Sequence, residues 1–234
     1  IRFPNEELPA ARPQQTTPIY DAMLSEGAVM GDSWGLETPL WFAPKGVEPK
    51  DVVSFRRSND FPHVKAEVKG TRNGVGITEI ANFAKYRFSG AGAEALLSRL
   101  MTNKMPKTGR IILTPMLNPG GKLIGDFTIG KLNDETFYMW GSSQAQRYHM
   151  RWFEKHLPSD GSVKIDRLDM GLVGLSIAGP KSRDVLQALT DEDVSNAAFK
   201  FMDIRAMDIG NCPVIINRVT YSGDLGYEMW VAPE

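Results

Sequence analysis

Two hydrophobic periods alternate along this chain, and their order predicts a mixed fold. Residues 1–15 show neither period. They are polar and interrupted by Pro4, Pro9 and Pro13, as in a linker. Thr17-Pro18 then opens a helix, with Thr suited to cap the free amides and Pro to the first helical position. Its apolar positions are Ile19, Met23 and Leu24, and Gly27 stops it. Residues 31–60 hold Trp34, Trp41, Phe42 and Phe55 among several prolines. They predict an irregular segment whose aromatics lean on a neighbouring domain. A helix follows at 61–70. Partial alternation from Ile77 to Phe88 predicts one strand.

The next stretch is the most regular. A helix at 92–102 places Leu96, Leu97 and Leu100 on one face. Strands follow at 110–116, 122–130 and 136–141, then an amphipathic helix at 142–156 and strands at 162–168 and 172–178. From 83 to 168 the order is therefore β-α-β-β-β-α-β. It resembles a ferredoxin-like unit with helices on one face of an antiparallel sheet. A helix at 180–189, two or three strands and a hairpin at 213–232 complete the chain. The fold class expected is α+β.

The bulk numbers exclude several roles. With 27 basic and 28 acidic side chains and a net charge of −1, there is no basic excess to hold nucleic acid. No apolar run approaches the ~18 residues of a membrane span, and the N-terminus lacks the pattern of a signal peptide. Cys212 is the sole cysteine, so an internal disulfide is excluded. Its Ile-rich setting reads as buried filler, and the composition suits a reducing, cytoplasmic compartment. His63, His149 and His156 form no metal-ligand spacing, so no metal is expected, and His149 and His156 are expected on a solvated helix face. Gly90-Ala91-Gly92 lacks the rest of a dinucleotide loop, and no serine-hydrolase elbow occurs. The chain opens at Ile1 without Met and stops just past a strand. It is expected to be a piece of a longer polypeptide.

Two segments carry chemistry. Leu117-Asn118-Pro119-Gly120-Gly121 reads as a tight turn, followed by an apolar strand that contains Asp126. An acid there either faces water at the strand end or serves a ligand, because burying it unpaired costs several kcal/mol or shifts its pKa. Gly125, without a side chain, would let a flat ligand approach the backbone. The second segment, Thr220-Tyr221-Ser222-Gly223-Asp224-Leu225-Gly226-Tyr227-Glu228, reads as strand, turn and strand. It is a complete hairpin by itself. A phenol and a carboxylate on its two arms can also grip a planar heterocycle bearing N–H donors.

Together these segments, about 95 residues apart, resemble the folate-binding module of the glycine-cleavage T-protein (aminomethyltransferase) family. The second is similar to that family's Tyr-Thr-Gly-Glu-x-Gly-aromatic-Glu hairpin, and Leu175-Ser176-Ile177-Ala178-Gly179-Pro180 is similar to its strand ending in Gly-Pro. Gly27 to Gly31, Glu37 to Ala43, Gly141 to Arg147 and Arg151-Trp152 look like the C-terminal part of dimethylglycine and sarcosine dehydrogenases. The resemblance implies a discontinuous folate-binding domain, 1–82 with 169–234, and a ferredoxin-like domain, 83–168. An upstream FAD domain and a C-terminal barrel would lie outside this chain. Tetrahydrofolate would sit in a central channel, with Asp126 as the catalytic carboxylate. Tyr221, Glu228, Phe83, Leu113 and Ser142 would be folate-binding positions. Here Leu113 stands where the family often has Tyr, and Ser142 where it often has Asn. The implied activity is one-carbon transfer from an oxidised methylamine to give 5,10-methylenetetrahydrofolate. The implied partner is a flavin dehydrogenase domain in the same or another chain, in the cytoplasm or, in a eukaryote, the mitochondrial matrix. The alternatives are a T-protein-like transferase using another donor and a folate-binding module without turnover.

Overall fold

A computed structural model describes residues 6–233. Positions 1–5 of the Pro-rich N-terminal stretch lie outside the described residues. Its remainder is irregular but anchored: Arg12 makes a two-pronged ion pair with buried Glu37, at 2.7 and 2.6 Å.

Helix α1 (Tyr20–Ser25) leads into a hairpin of β1 (Ala28–Ser33) and β2 (Leu36–Phe42). This hairpin corrects the expectation of an irregular segment from residue 31. Its two-residue turn, Trp34-Gly35, has positive φ at both positions, as strand twist demands. Trp replaces the usual Asn or Asp there, and Pro39 with a bulge at Val29/Met30 hides the alternation. Residues 43–60 are irregular, and Trp41 is their anchor. It stacks on His63 at 5.2 Å and donates its indole N–H to Asp51 at 2.6 Å. Helix α2 (Phe61–Asn73) follows.

Two five-stranded antiparallel sheets form the body. The first contains β4 (Ala84–Ser89), β5 (Arg110–Leu117), β6 (Leu123–Asn133), β7 (Thr136–Gly141) and β8 (Lys164–Arg167), in the order β5-β6-β7-β4-β8. Helices α3 (Ala93–Leu100) and α4 (Gln146–His156) cover one face. Leu97 and Phe153 pack there against Tyr86, Phe88, Phe137 and Met139. The second sheet contains β3 (Gly76–Glu79), β9 (Val173–Ala178), β10 (Ile204–Ile209), β11 (Cys212–Asn217) and β12 (Gly226–Val231), in the order β10-β11-β12-β9-β3. Leu186 of α5 (Ser182–Gln187) and Phe199 pack with Tyr227 in the core on its outer face. The inner faces of the two sheets meet through Ile111, Trp140, Ile204 and Trp230. The chain is thus α+β with antiparallel sheets.

The single strand expected from Ile77 to Phe88 is two strands in different sheets. Ile80–Phe83 carries the chain from one sheet to the other, and Glu79 accepts the Ala81 N–H at 2.5 Å within this crossing. Apolar residues continue through the break, because both sheets bury their inner faces, so periodicity alone could not locate it. Cys212 is exposed at the start of β11 rather than buried, since it lies at the turn end of that strand.

Candidate active site

The inner faces of the two sheets part at one end to leave a cleft of about 980 Å³. Strand pairing explains what faces it. Leu113 opposes Thr128, Thr128 opposes Trp140, and Pro115 opposes Asp126, so these side chains share one face of the first sheet. Across the cleft, Glu228 and Trp230 are two residues apart on β12 and point the same way. Phe83 enters from the crossing between sheets, Ser142 from the end of β7, and Tyr221 from the β11–β12 connection. The cleft thus brings together Asp126, Tyr221, Glu228, Phe83, Leu113 and Ser142.

Asp126 is exposed on β6. Among the described residues its carboxylate has no hydrogen bond or ion pair, so it is open to whatever enters the cleft. The turn before it forms as the sequence suggests. The Asn118 side-chain oxygen accepts the N–H groups of Gly120 and Lys122, both at 2.9 Å, and Gly121 takes positive φ. Gly125 has a different task from the one expected. It faces away from the cleft, and a Cβ there would lie 2.5 Å from His149 Nε2 and 2.8 Å from the Phe127 ring. It makes room for core packing, not for a ligand.

His149 is likewise not on a solvated face. It is 1% exposed, and its Nδ1 lies 3.1 Å from the Tyr86 hydroxyl. Burial holds its pKa below the ordinary value despite the nearby Ile124 backbone and Asp126 charge. The neutral ring and the Tyr86 hydroxyl thus share one hydrogen bond beneath β6.

Glu228 differs from Asp126. Burial pushes its carboxyl up to about 7. Its cross-strand neighbour Asn217 pulls it part-way back. That buried amide, however, closes no hydrogen bond of normal geometry with any described residue. Tyr221 is 99% exposed, so it forms a free rim rather than a wall. It does not sit on a strand arm as expected: β11 ends at Asn217 and β12 begins at Gly226, leaving a loop in which Thr220 Oγ1 donates to the Asp224 carbonyl at 2.7 Å. Phe83 stands edge-on to Trp230 with ring centroids 6.4 Å apart. Leu113 is 59% exposed, an apolar side chain facing open space.

Sequence reasoning missed the pair beneath these groups. Trp140 and Trp230 stack at 5.3 Å, and neither buried indole N–H has a partner among the described residues. Trp230 lies two residues after Glu228, so period-two counting along β12 would have found it.

The model of the GCVT N-terminal domain matches residues 19–234. The chain belongs to the GCVT N-terminal domain family. Human mitochondrial dimethylglycine dehydrogenase is 33% identical over 231 residues, covering 98% of this chain and 27% of that protein. A 4-methylaminobutanoate oxidase (formaldehyde-forming) from Paenarthrobacter nicotinovorans is 26% identical, over 98% of this chain and 28% of its own. The GCVT chain therefore spans about a quarter of the length of these relatives. Among solved structures, the glycine cleavage system aminomethyltransferase T from Bartonella henselae superposes with a TM-score of 0.75. Its identity is 19%, covering 94% of this chain and 54% of that one, a likeness of fold. Among the described residues, no helix is long and apolar enough to cross a membrane.

Proposed function

We propose that this chain is the tetrahydrofolate-binding, one-carbon-transfer module of a dimethylglycine or sarcosine dehydrogenase-like demethylase, forming 5,10-methylenetetrahydrofolate. The observation that carries this reading is the convergence of Asp126 and Glu228 on one cleft, from segments about 95 residues apart, in a chain of this family. In the same reading, residues 1–82 with 169–234 form one domain and 83–168 the other, with the cleft between them. A flavin dehydrogenase domain, in the same or a partner chain, generates the one-carbon unit.

The cleft suits such a ligand. Its volume matches sites for drug-sized molecules, and its walls are apolar with a few convergent polar groups. A half-buried carboxyl poised near neutrality, with two unpartnered indole donors close by, lacks partners that a polar heterocycle can supply. Glu228 would accept N–H donors of the pterin. Phe83, Leu113 and Trp140 would flank its faces, while Ser142 and Tyr221 would contact it at the ends. Tetrahydrofolate, when bound, supplies nucleophilic nitrogens for the one-carbon unit. Asp126 acts as the base and as the negative charge facing the cationic carbon. Calorimetric titration with tetrahydrofolate tests the reading. One-to-one binding is expected, and its loss in a Glu228→Ala, Trp140→Ala double variant that still folds places the ligand in this cleft. Absence of binding by the folded wild-type chain overturns it.

A further inference from the structure

A second cavity, of about 350 Å³, shares Asn82, Phe83 and Ser143 with the large cleft. Lys85 lines it. This lysine opposes Trp140 across β4 and β7, so it points to the inner face of the first sheet, where it is 1% exposed. Its Nζ donates one hydrogen bond, to the Ala81 carbonyl at 2.5 Å, and lies 5.8 Å from the centre of the Trp230 ring. Among the described residues, its other two donor positions find no hydrogen-bond partner. The charged groups acting on it are Glu79 from β3 and Asp169 from the β8–β9 connection. Asp169 is itself held by Gln146 at 2.5 Å and Arg167 at 2.9 Å, and one buried oxygen of Glu79 has no hydrogen-bond partner among the described residues. Lys85 is thus a long amine buried beside a cavity and, among the described residues, not closed into an ion pair.

We propose that this side cavity captures a small aldehyde of the formaldehyde type, with Lys85 as the amine that condenses with it. This rests on the reading of the chain as a one-carbon module. The Nζ lone pair attacks the carbonyl carbon. A C–N bond forms as the C=O π bond opens, and a proton passes from nitrogen to oxygen to give a carbinolamine. Solvent protonates the hydroxyl, the C–O bond breaks with loss of water, and the nitrogen lone pair closes the C=N bond, leaving a cationic iminium. No oxidant or reductant is consumed. Attack by a second amine forms a new C–N bond, breaks the bond to Nζ and returns a proton to Lys85. The neighbouring Glu79 and Asp169 charges favour the cationic iminium as they favour the ammonium. Burial opposes them and brings the Lys85 pKa down to about 8, so about one molecule in ten carries the free amine near neutrality. The cavity is much smaller than the main cleft and ample for a one-carbon aldehyde, and its shared walls put it beside the proposed acceptor.

The test is to treat the folded chain with isotope-labelled formaldehyde and cyanoborohydride at neutral pH, and to follow methylation of each lysine by peptide mass spectrometry. Lys85 is expected to react on the order of ten-fold faster than exposed Lys122, and to lose that advantage when the chain is denatured. Reaction no faster than at Lys122, or only after denaturation, overturns the proposal. Tetrahydrofolate titration of the same sample separates the two readings. Binding without selective labelling removes the capture site alone, whereas selective labelling without binding removes the folate reading and leaves an aldehyde-reactive lysine.

Discussion

The two carboxylates of the cleft stand in opposite circumstances. Asp126, on the first sheet, faces open space with no hydrogen bond or ion pair among the described residues. Glu228, on the second, is largely withdrawn from water and holds its proton up to about pH 7. The difference separates a carboxylate open to solvent from one that burial keeps protonated toward neutrality. Desolvating Glu228 costs the empty chain stability, which a ligand's N–H groups return on binding. A solvent-facing Asp126 costs the fold little, so packing alone does not account for an acid among apolar neighbours.

The division of labour is most severely tested at Asp126. Asp126→Ala is expected to lower one-carbon transfer by about 10² to 10⁴ while tetrahydrofolate still binds, measured by product formation alongside calorimetry. Full activity in that variant removes Asp126 from the mechanism. Glu228→Gln should act on binding instead, weakening tetrahydrofolate by about ten- to a hundred-fold. The pH dependence carries the sign. The folded carboxyl titrates near 7, against an ordinary 4.5, so the unfolded chain releases this proton first. Stability of the empty chain from this group is therefore full below about 4.5 and falls as pH rises toward 7. Ligand affinity should move the other way, rising from pH 6 to 8 as the carboxylate forms. In Glu228→Gln the affinity should become flat, and the empty chain should be more stable at pH 8 in denaturant titrations. Next in size is Gly125→Ala. A methyl group there collides with His149 and Phe127, so a loss of about 1–3 kcal/mol is expected from denaturant midpoints, with Asp126 displaced as a consequence. Smallest is Cys212→Ala, an exposed change away from the cleft, expected within about 0.5 kcal/mol.

Much of this architecture was legible in the sequence where one face of an element is solvated. Helix α3 and strands β5, β6 and β7 fall where their periods put them, because each alternates between a core and a wetter side. The hairpin β1–β2 was not legible, since Trp34-Gly35 is an unusual turn dipeptide and Pro39 interrupts the pattern. The change of sheet at Ile80–Phe83 was hidden by continuous burial. For the site, residue type and resemblance singled out Asp126 and Glu228, and the fold brings both to one cleft. Lys85 escaped notice and His149 was expected on a solvated face, because a lone charged or titratable residue in an apolar strand or on an amphipathic helix looks like any surface residue until its neighbours are known. Both are 1% exposed, and only tertiary contacts reveal that.

The chain passes between the sheets twice, and the two passages are stitched together. Ile80 N–H reaches the Gly174 carbonyl at 2.8 Å, and Leu168 N–H reaches the Lys85 carbonyl at 2.9 Å. Entry to and exit from the first sheet therefore share one seam, beside the stacked indoles. A second seam joins the sheets elsewhere: Ile111 N–H reaches the Met202 carbonyl at 2.8 Å, and Ile204 N–H reaches the Gly109 carbonyl at 3.0 Å. Backbone bonds at two places, rather than side chains alone, thus hold the two sheets at the separation that leaves the cleft.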